Sequence, residues 1–468
     1  MSEHPTKRWL RDLAWAAAGV ALVAGLALVA PSPAQDRPGP LLFEGARIVT
    51  SGGGAPIEDG AFVVDGGRFV AVGRRGAVAA PAGATRVDLA GKTVVPALVN
   101  AHIHVGYNRG ATFLAENYTR ENILDHMRRF AYFGVAASQA MGSDFGDLPF
   151  ALRDELAGGT HPDAARFLTA GRGLAPLSEI SAANMRHAAS VVTTVEGARA
   201  NVRELARQQV PLIKTWVDTR GGTIPALAPD LYRAIIDEAH AHGLRVAVHA
   251  TGLPEAKSLL RAGIDVFGHM IGDVDDELVE LFRQHPTTAI LLALNAPRRA
   301  VSAPWLTPPH PLIVETVSPP QIARLRTRLA SRPPEEVAES RRAWERLARG
   351  VRLLAAAGVT IGVGTDGGGQ SGDQFVGWTM HTEMENMVAA GMTPAQVLVA
   401  ATRNSAAILG LADLGLVAAG RSADFVVLDA NPLDDITHTR RISRVFLRGQ
   451  EVDRARLRAQ WTREFSSN

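Results

Sequence analysis

Two textures of apolar and polar positions divide the chain. Between residues 41 and 95 the apolar runs are short and punctuated by Gly and Asp, the pattern of half-buried strands. Residues 42–49 form one such run. Residues 60–73 predict a hairpin turning at Asp65, Gly66 and Gly67, and 86–89 and 92–95 predict two further strands. The same texture returns at 423–429 and 444–449. In between, short apolar runs alternate with amphipathic runs of helical length, which implies parallel β/α units. Strands are predicted at 135–141, 166–170, 212–216, 246–249, 266–269, 289–294 and 360–364, with helices such as 230–242 and 343–357. The buried run 94–104, ending in His102-Ile103-His104, makes the strands eight. Eight β/α units are the number for a closed barrel. The expected fold class is therefore α/β: a (β/α)8 TIM barrel over residues 96–414, with a small β-sandwich domain built from both chain ends, 41–95 and 415–455. Residues 295–334, long and proline-rich after the seventh strand, read as a lid or binding loop.

The N-terminus carries an address. Lys7, Arg8 and Arg11 precede an apolar and small-residue run over 13–30, and Ser32-Pro33-Ala34 follows. Residues 1–34 are expected to be a signal peptide cut after Ala34. The rival reading is an uncleaved membrane anchor, since that run would extend about 27 Å as a helix. Either way the remainder is expected in the periplasm, secreted, or anchored with its working part outside the cytoplasm. The chain has no cysteine, so any metal must be held by nitrogen and oxygen. Lys and Arg total 49 against 47 Asp and Glu, and no basic stripe suggests nucleic acid.

In a barrel, chemistry gathers at the C-terminal ends of the strands. His102 and His104 alternate with one residue between, so both face the same side and form a ready chelate. Lys214 lies inside the apolar fourth strand. It either snorkels at an edge or, desolvated beside metal charge, forms a carbamate with carbon dioxide that bridges two cations. His249 and His269 end the fifth and sixth strands. Asp366 follows the eighth strand and precedes a glycine loop, where a carboxylate could ligate a metal and take a proton.

This order of HxH, Lys, His, His and Asp resembles the amidohydrolase superfamily, in its imidazolonepropionase-like and Xaa-Pro/Xaa-Arg dipeptidase branch. The likeness runs from about residue 41 to 452. It takes in His381-Thr-Glu383-Met-Glu385, Gly391-Met-Thr-Pro394, Ala401-Thr402 and Gly420-Arg-Ser-Ala-Asp424. Two places depart from the family pattern: Pro96-Ala97 stands where Pro-Gly is usual, and no glycine-histidine motif is evident near Gly171-Arg-Gly173. The resemblance implies two divalent metal ions, zinc by default. His102, His104 and Asp366 would bind one, His249 and His269 the other, and carboxylated Lys214 would bridge them. A metal-bridging hydroxide would then attack an amide or peptide bond of a small substrate, a dipeptide or N-acyl amino acid, with Asp366 as proton shuttle. The alternatives are a lactonase or cyclic amide hydrolase, or a catalytically silent barrel that binds a ligand. Lys214 favours hydrolysis over deamination, because deaminases of the superfamily generally use one metal and no bridging carbamate. A homo-oligomer is compatible with this reading.

Tyr107 and Arg109 follow the chelate and are candidates for substrate contact, with a surface role as the alternative. Glu383 is expected to fix a loop. Trp305 and Trp378 are expected to line the pocket or pack the lid, and His240 and His242 to cap a helix or face solvent. His187 has no assigned role.

Overall fold

The computed structural model describes residues 39–467 apart from 111, 178–188, 220, 221, 223 and 370–373. The expected signal peptide, residues 1–34, and His187 lie outside the described residues. The fold is mixed α/β.

One eight-stranded sheet draws on both chain ends. Its order is Gln450–Glu451, Ile442–Leu447, Phe425–Leu428, Thr93–Pro96, Leu41–Ile48, Ile57–Asp65 and Arg68–Arg74, with Thr85–Asp88 pairing Leu41–Ile48 off that path. The predicted hairpin turns at Gly66 and Gly67, whose φ angles of 55° and 78° are costly for any other residue. Phenylalanines from the two ends fill the interior together. Phe43 stacks on Phe62 at 4.8 Å, Phe425 on Phe446 at 4.5 Å, and Phe43 meets Phe425 edge-on at 5.3 Å.

The strands between these ends are parallel. Leu98–Ile103 pairs with Val135–Ala140, which pairs with Arg166–Thr169. A second sheet runs Ala189–Val191, Gly173–Ala175, Leu212–Trp216, Arg245–His249, Val266–Phe267, Ala289–Leu291, Thr360–Gly362. Its far end is tied back to the first: the Ala101 amide donates to the Val363 carbonyl at 2.8 Å, and Ile103 bridges Gly367 in parallel. Each strand expected between residues 94 and 364 is present, and several stop two or three residues short of the expected end. His269 is among the residues beyond those shortened ends, outside the ladder. Gly173–Ala175 and Ala189–Val191 were not expected; three residues are too few to show a period.

Residues 295–334 are not the bare loop the sequence suggests. They hold helices at Asn295–Arg299, Pro311–Val314 and Pro319–Ala330, and Pro334–Ala356 follows. Proline occupies the first turn of the last three. There its missing N–H has no intrahelical partner to lose, so a proline-rich stretch can still be helical. The helix expected at 343–357 is the second half of Pro334–Ala356, and that expected at 230–242 is Pro229–Ala241. Among the described residues no helix is long and apolar enough to cross a membrane.

Candidate metal centre

The strand Leu98–Ile103 is buried along its whole length, and alternation brings His102 and His104 to one side. Their Nε2 atoms lie 3.2 Å apart. The Nδ1 of His102 stands 2.9 Å from the Gly268 carbonyl oxygen, which can only accept. The ring hydrogen is therefore on Nδ1, and the Nε2 lone pair points into the site. The Nδ1 of His104 contacts the Ser143 hydroxyl at 2.7 Å. Tyr107 donates to the Ser143 carbonyl at 2.5 Å and is itself buried, so its hydroxyl steadies the residue behind His104. Arg109 is exposed, in the small hairpin Asn108–Arg109 and Thr112–Phe113.

Asp366 reaches the same point from beyond the last of the parallel strands, Thr360–Gly362. Its amide donates to the His102 carbonyl at 3.0 Å, and its φ of 55° turns the chain sharply. Its Oδ1 lies 3.1 Å from His104 Nε2 and 3.5 Å from His102 Nε2, while Oδ2 accepts from Gln374 Nε2 at 2.9 Å. The glycines around it have a steric cause. A Cβ on Gly368 would stand 2.0 Å from the His104 carbonyl oxygen, and one on Gly364 would stand 2.7 Å from His102 Cβ. Asn100 pins the joint: its Nδ2 donates to Thr365 Oγ1 at 2.8 Å and its Oδ1 accepts from the Thr365 amide at 3.3 Å.

His269 lies between the other imidazoles, its ring centroid 4.8 Å from that of His102 and 4.2 Å from that of His249. Donor atoms of His102, His269 and Asp366 all fall within 4.8 Å of one another. His249 Nε2 is 3.3 Å from Asp218 Oδ2, which also accepts from Thr251 Oγ1 at 3.1 Å. Lys214 is fully buried, with Nζ 5.3 Å from the centroid of the Trp216 ring. Glycines make room for it. A Cβ on Gly142 would press on Lys214 Cγ at 2.7 Å, and one on Gly268 would come within 3.2 Å of Nζ and 3.4 Å of His102 Cε1. The six candidate ligands thus gather in one neighbourhood.

Electrostatics favour ligation. Burial, then the Lys214 charge, holds His102 well below the ordinary imidazole range, so it is neutral. Burial and the His249 charge do the same to His269. Burial would raise Asp366, but its hydrogen bond to His104 and the nearby imidazoles outweigh that and hold it well below the usual carboxylate range. Neutral imidazoles and an ionised carboxylate are what a divalent cation requires, so the donor set fits one.

Glu383 accepts the Leu294 amide at 2.7 Å and so fixes the chain after Ala289–Leu291. Burial pushes its carboxyl up to about 8. Trp305 and Trp378 meet at 5.6 Å and both line a cavity beneath the helical segment. His242 closes the helix Pro229–Ala241, and His240 pairs with Asp265 at 2.9 Å. Sequence reasoning assigned no role to Ser143, Asp218 or Gln374. Asp218 carries a faint signal, an acidic residue at the end of the strand that holds Lys214. Ser143 and Gln374 carry none, because each is defined only by what it touches.

The profile of the Amidohydrolase family matches residues 93–452. An uncharacterized protein of Mycobacterium tuberculosis is 28% identical over 212 residues, 44% of this chain, so the chain spans about half (52%) of that relative's length. Imidazolonepropionase of Streptomyces avermitilis is 26% identical over 437 residues, 87% of this chain and 89% of the relative. Among solved structures, a candidate prolidase from Bifidobacterium longum superposes with a TM-score of 0.72 at 28% identity, covering 92% of this chain and all (100%) of that one. A Xaa-Pro dipeptidase with bound methionine gives 0.70 at 20% identity, covering 88% and 99%, and shows the shared fold. With the family profile spanning most of its length, the chain belongs to the amidohydrolase family.

Proposed function

We propose that this chain is an exported, metal-dependent hydrolase that cleaves an amide or peptide bond in a small substrate, a dipeptide or N-acyl amino acid. The observation that carries the reading is the convergence of four imidazoles, one buried lysine and one ionised carboxylate from five strand ends. The likeness to a candidate prolidase supports a peptide-type substrate. In this reading the parallel strands close into a (β/α)8 barrel over 96–414, and 41–95 with 415–455 form a β-sandwich domain. The bridge from Ile103 to Gly367 supports closure. The leader expected over 1–34 would carry the enzyme to the periplasm or beyond, or anchor it with the barrel outside the cytoplasm.

His102, His104 and Asp366 would hold one divalent ion, His249 and His269 a second, and Lys214, as a carbamate, would join them. Bound there, two ions, zinc by default, supply Lewis acidity and lower the pKa of water toward neutrality. The protein's own groups do the rest. Gly268 and Ser143 fix the two chelating rings. Gln374 holds Oδ2 of Asp366, which leaves Oδ1 facing His102 and His104 to take a proton from the attacking water and pass it to the leaving amine. The side-chain amine of Lys214, buried in the interior, is the atom that would add carbon dioxide. The test is a screen of dipeptides and N-acyl amino acids on purified, metal-assayed protein, reading free amine. Amine release that stops on chelation is expected. Lactone opening with no amine released from any amide would overturn the amide reading.

A further inference from the structure

The buried strand Leu212–Trp216 ends in a side chain that metal ligation does not use. Trp216 follows Lys214 by two residues, so both leave the same face of the strand. In the parallel register Trp216 stands opposite His249, as Lys214 stands opposite Ala247. On that face the indole therefore has the lysine behind it on its own strand and His249 alongside on the next. The indole is 4% exposed and sits in a slot cut for it. A Cβ on Gly173 would stand 2.1 Å from its Cζ3 and 2.7 Å from its Cη2, and a Cβ on Gly142 would stand 2.9 Å from Cη2. The two glycines are joined, the Gly173 amide donating to the Gly142 carbonyl at 2.8 Å. Ala175 and Ala189, both fully buried, pack with Trp216 and complete the slot. Four small residues around one large ring make a matched fit, in which added or missing volume is felt.

The lysine shares that slot. The Cβ that would meet the indole from Gly142 would also stand 2.7 Å from Lys214 Cγ and 2.9 Å from its Cβ, so stem and ring rest on the same glycine. At the other end Nζ comes out beside Gly268 and His102. A lysine stem has many rotamers, and packing has to choose among them. Here the packing is against Gly142 and the ring of Trp216, whose centroid lies 5.3 Å from Nζ.

We propose that Trp216 is a positioning residue for Lys214: held in the slot of Gly142, Gly173, Ala175 and Ala189, its indole directs the lysine amine to the space between the two groups of ligands. There the amine nitrogen would bond to the carbon of carbon dioxide and release one proton to solvent, leaving the carbamate anion. The inference rests on the bridging reading of Lys214 and adds the residue that aims it. The test uses the full chain, stripped of metal and then titrated with zinc in carbon-13 bicarbonate. Competition with a chromogenic chelator reads the affinity for the second zinc, and carbon-13 NMR reads the carbamate. Trp216→Leu leaves a void beside the stem into which the lysine can swing. Its affinity for the second zinc should fall about 10–100-fold, with the carbamate signal falling in step. Gly173→Ala drives a methyl into the ring and should give the same two losses. The double variant Gly173→Ala, Trp216→Phe should recover most of both, because the smaller ring leaves room for that methyl. Where Gly173→Ala does not fold, Trp216→Leu and Trp216→Phe carry the test, with the smaller loss expected in Trp216→Phe. Variants that lose thermal stability but, while folded, keep the wild-type zinc affinity and carbamate signal overturn the proposal. So does a loss in Gly173→Ala with Trp216→Leu unaffected. Wild type that takes up one zinc and shows no carbamate removes the bridging reading and the proposal with it, whereas a wild-type carbamate that survives in every variant removes the proposal alone.

Discussion

The Asp366 Oδ1 stands 3.5 Å from Nε2 of His102, and the two residues are also fastened through their backbones, the Asp366 amide donating to the His102 carbonyl at 3.0 Å. The first and last strands that feed the site therefore move as one piece. A carboxylate anchored this way keeps its distance from the imidazoles when protonated or ionised, which a proton carrier needs.

Replacing that carboxylate by its amide isolates the proton-transfer role. Asp366→Asn should keep at least one metal ion while turnover falls about 10²–10⁴-fold. Metal analysis and steady-state kinetics on the same preparation check this. Full activity with normal metal content would remove Asp366 from proton transfer.

Lys214 tests the bridge. Lys214→Ala should lose at least one metal and regain part of its activity when acetate is supplied, because a small carboxylate can enter the space vacated by the side chain. Unchanged metal stoichiometry would count against a bridging role and return Lys214 to a buried structural lysine.

Ser143 tests the support behind the ligands. Its hydroxyl is 2.7 Å from His104 Nδ1. Ser143→Ala should weaken metal binding by about 10–100-fold, the usual effect of losing a partner that orients a ligating histidine. Competition with a chromogenic chelator reads the affinity directly, and an unchanged value would show that the strand alone orients the ring.

Much of the fold was legible because its signal is periodic. Buried parallel strands announce themselves as short apolar runs, and the polar residues that end them, His249, His269 and Asp366, stand out against that background. Lys214 was legible for the same reason, a charge where the pattern calls for a hydrocarbon. The segment over 295–334 was misread because proline at a helix start looks the same in sequence as proline in a loop. Ser143 and Gln374 were invisible because their roles come from distant partners, His104 and Asp366. Tyr107 stood next to the chelate in sequence, yet only the fold shows its hydroxyl spent on the Ser143 carbonyl.

Glu383 gives a pH signature separate from the metal. Its carboxyl titrates near 4.5 when exposed and is pushed up to about 8 by burial. Between those values the folded state keeps a proton that the unfolded state has released, so stability falls as pH rises through this window. Glu383→Gln keeps an acceptor for the Leu294 amide and cannot ionise. In metal-free protein its Tm should exceed wild type by at least about 2 °C at pH 8 and converge with it near pH 5. A constant offset across that range would contradict the shifted carboxyl.

Anomalous diffraction at the zinc edge from crystals of zinc-loaded protein tests the central claim most directly. Two peaks are expected, one bounded by His102, His104 and Asp366, the other by His249 and His269, with Lys214 density extended between them. Peaks away from these six side chains, or none, would contradict the account.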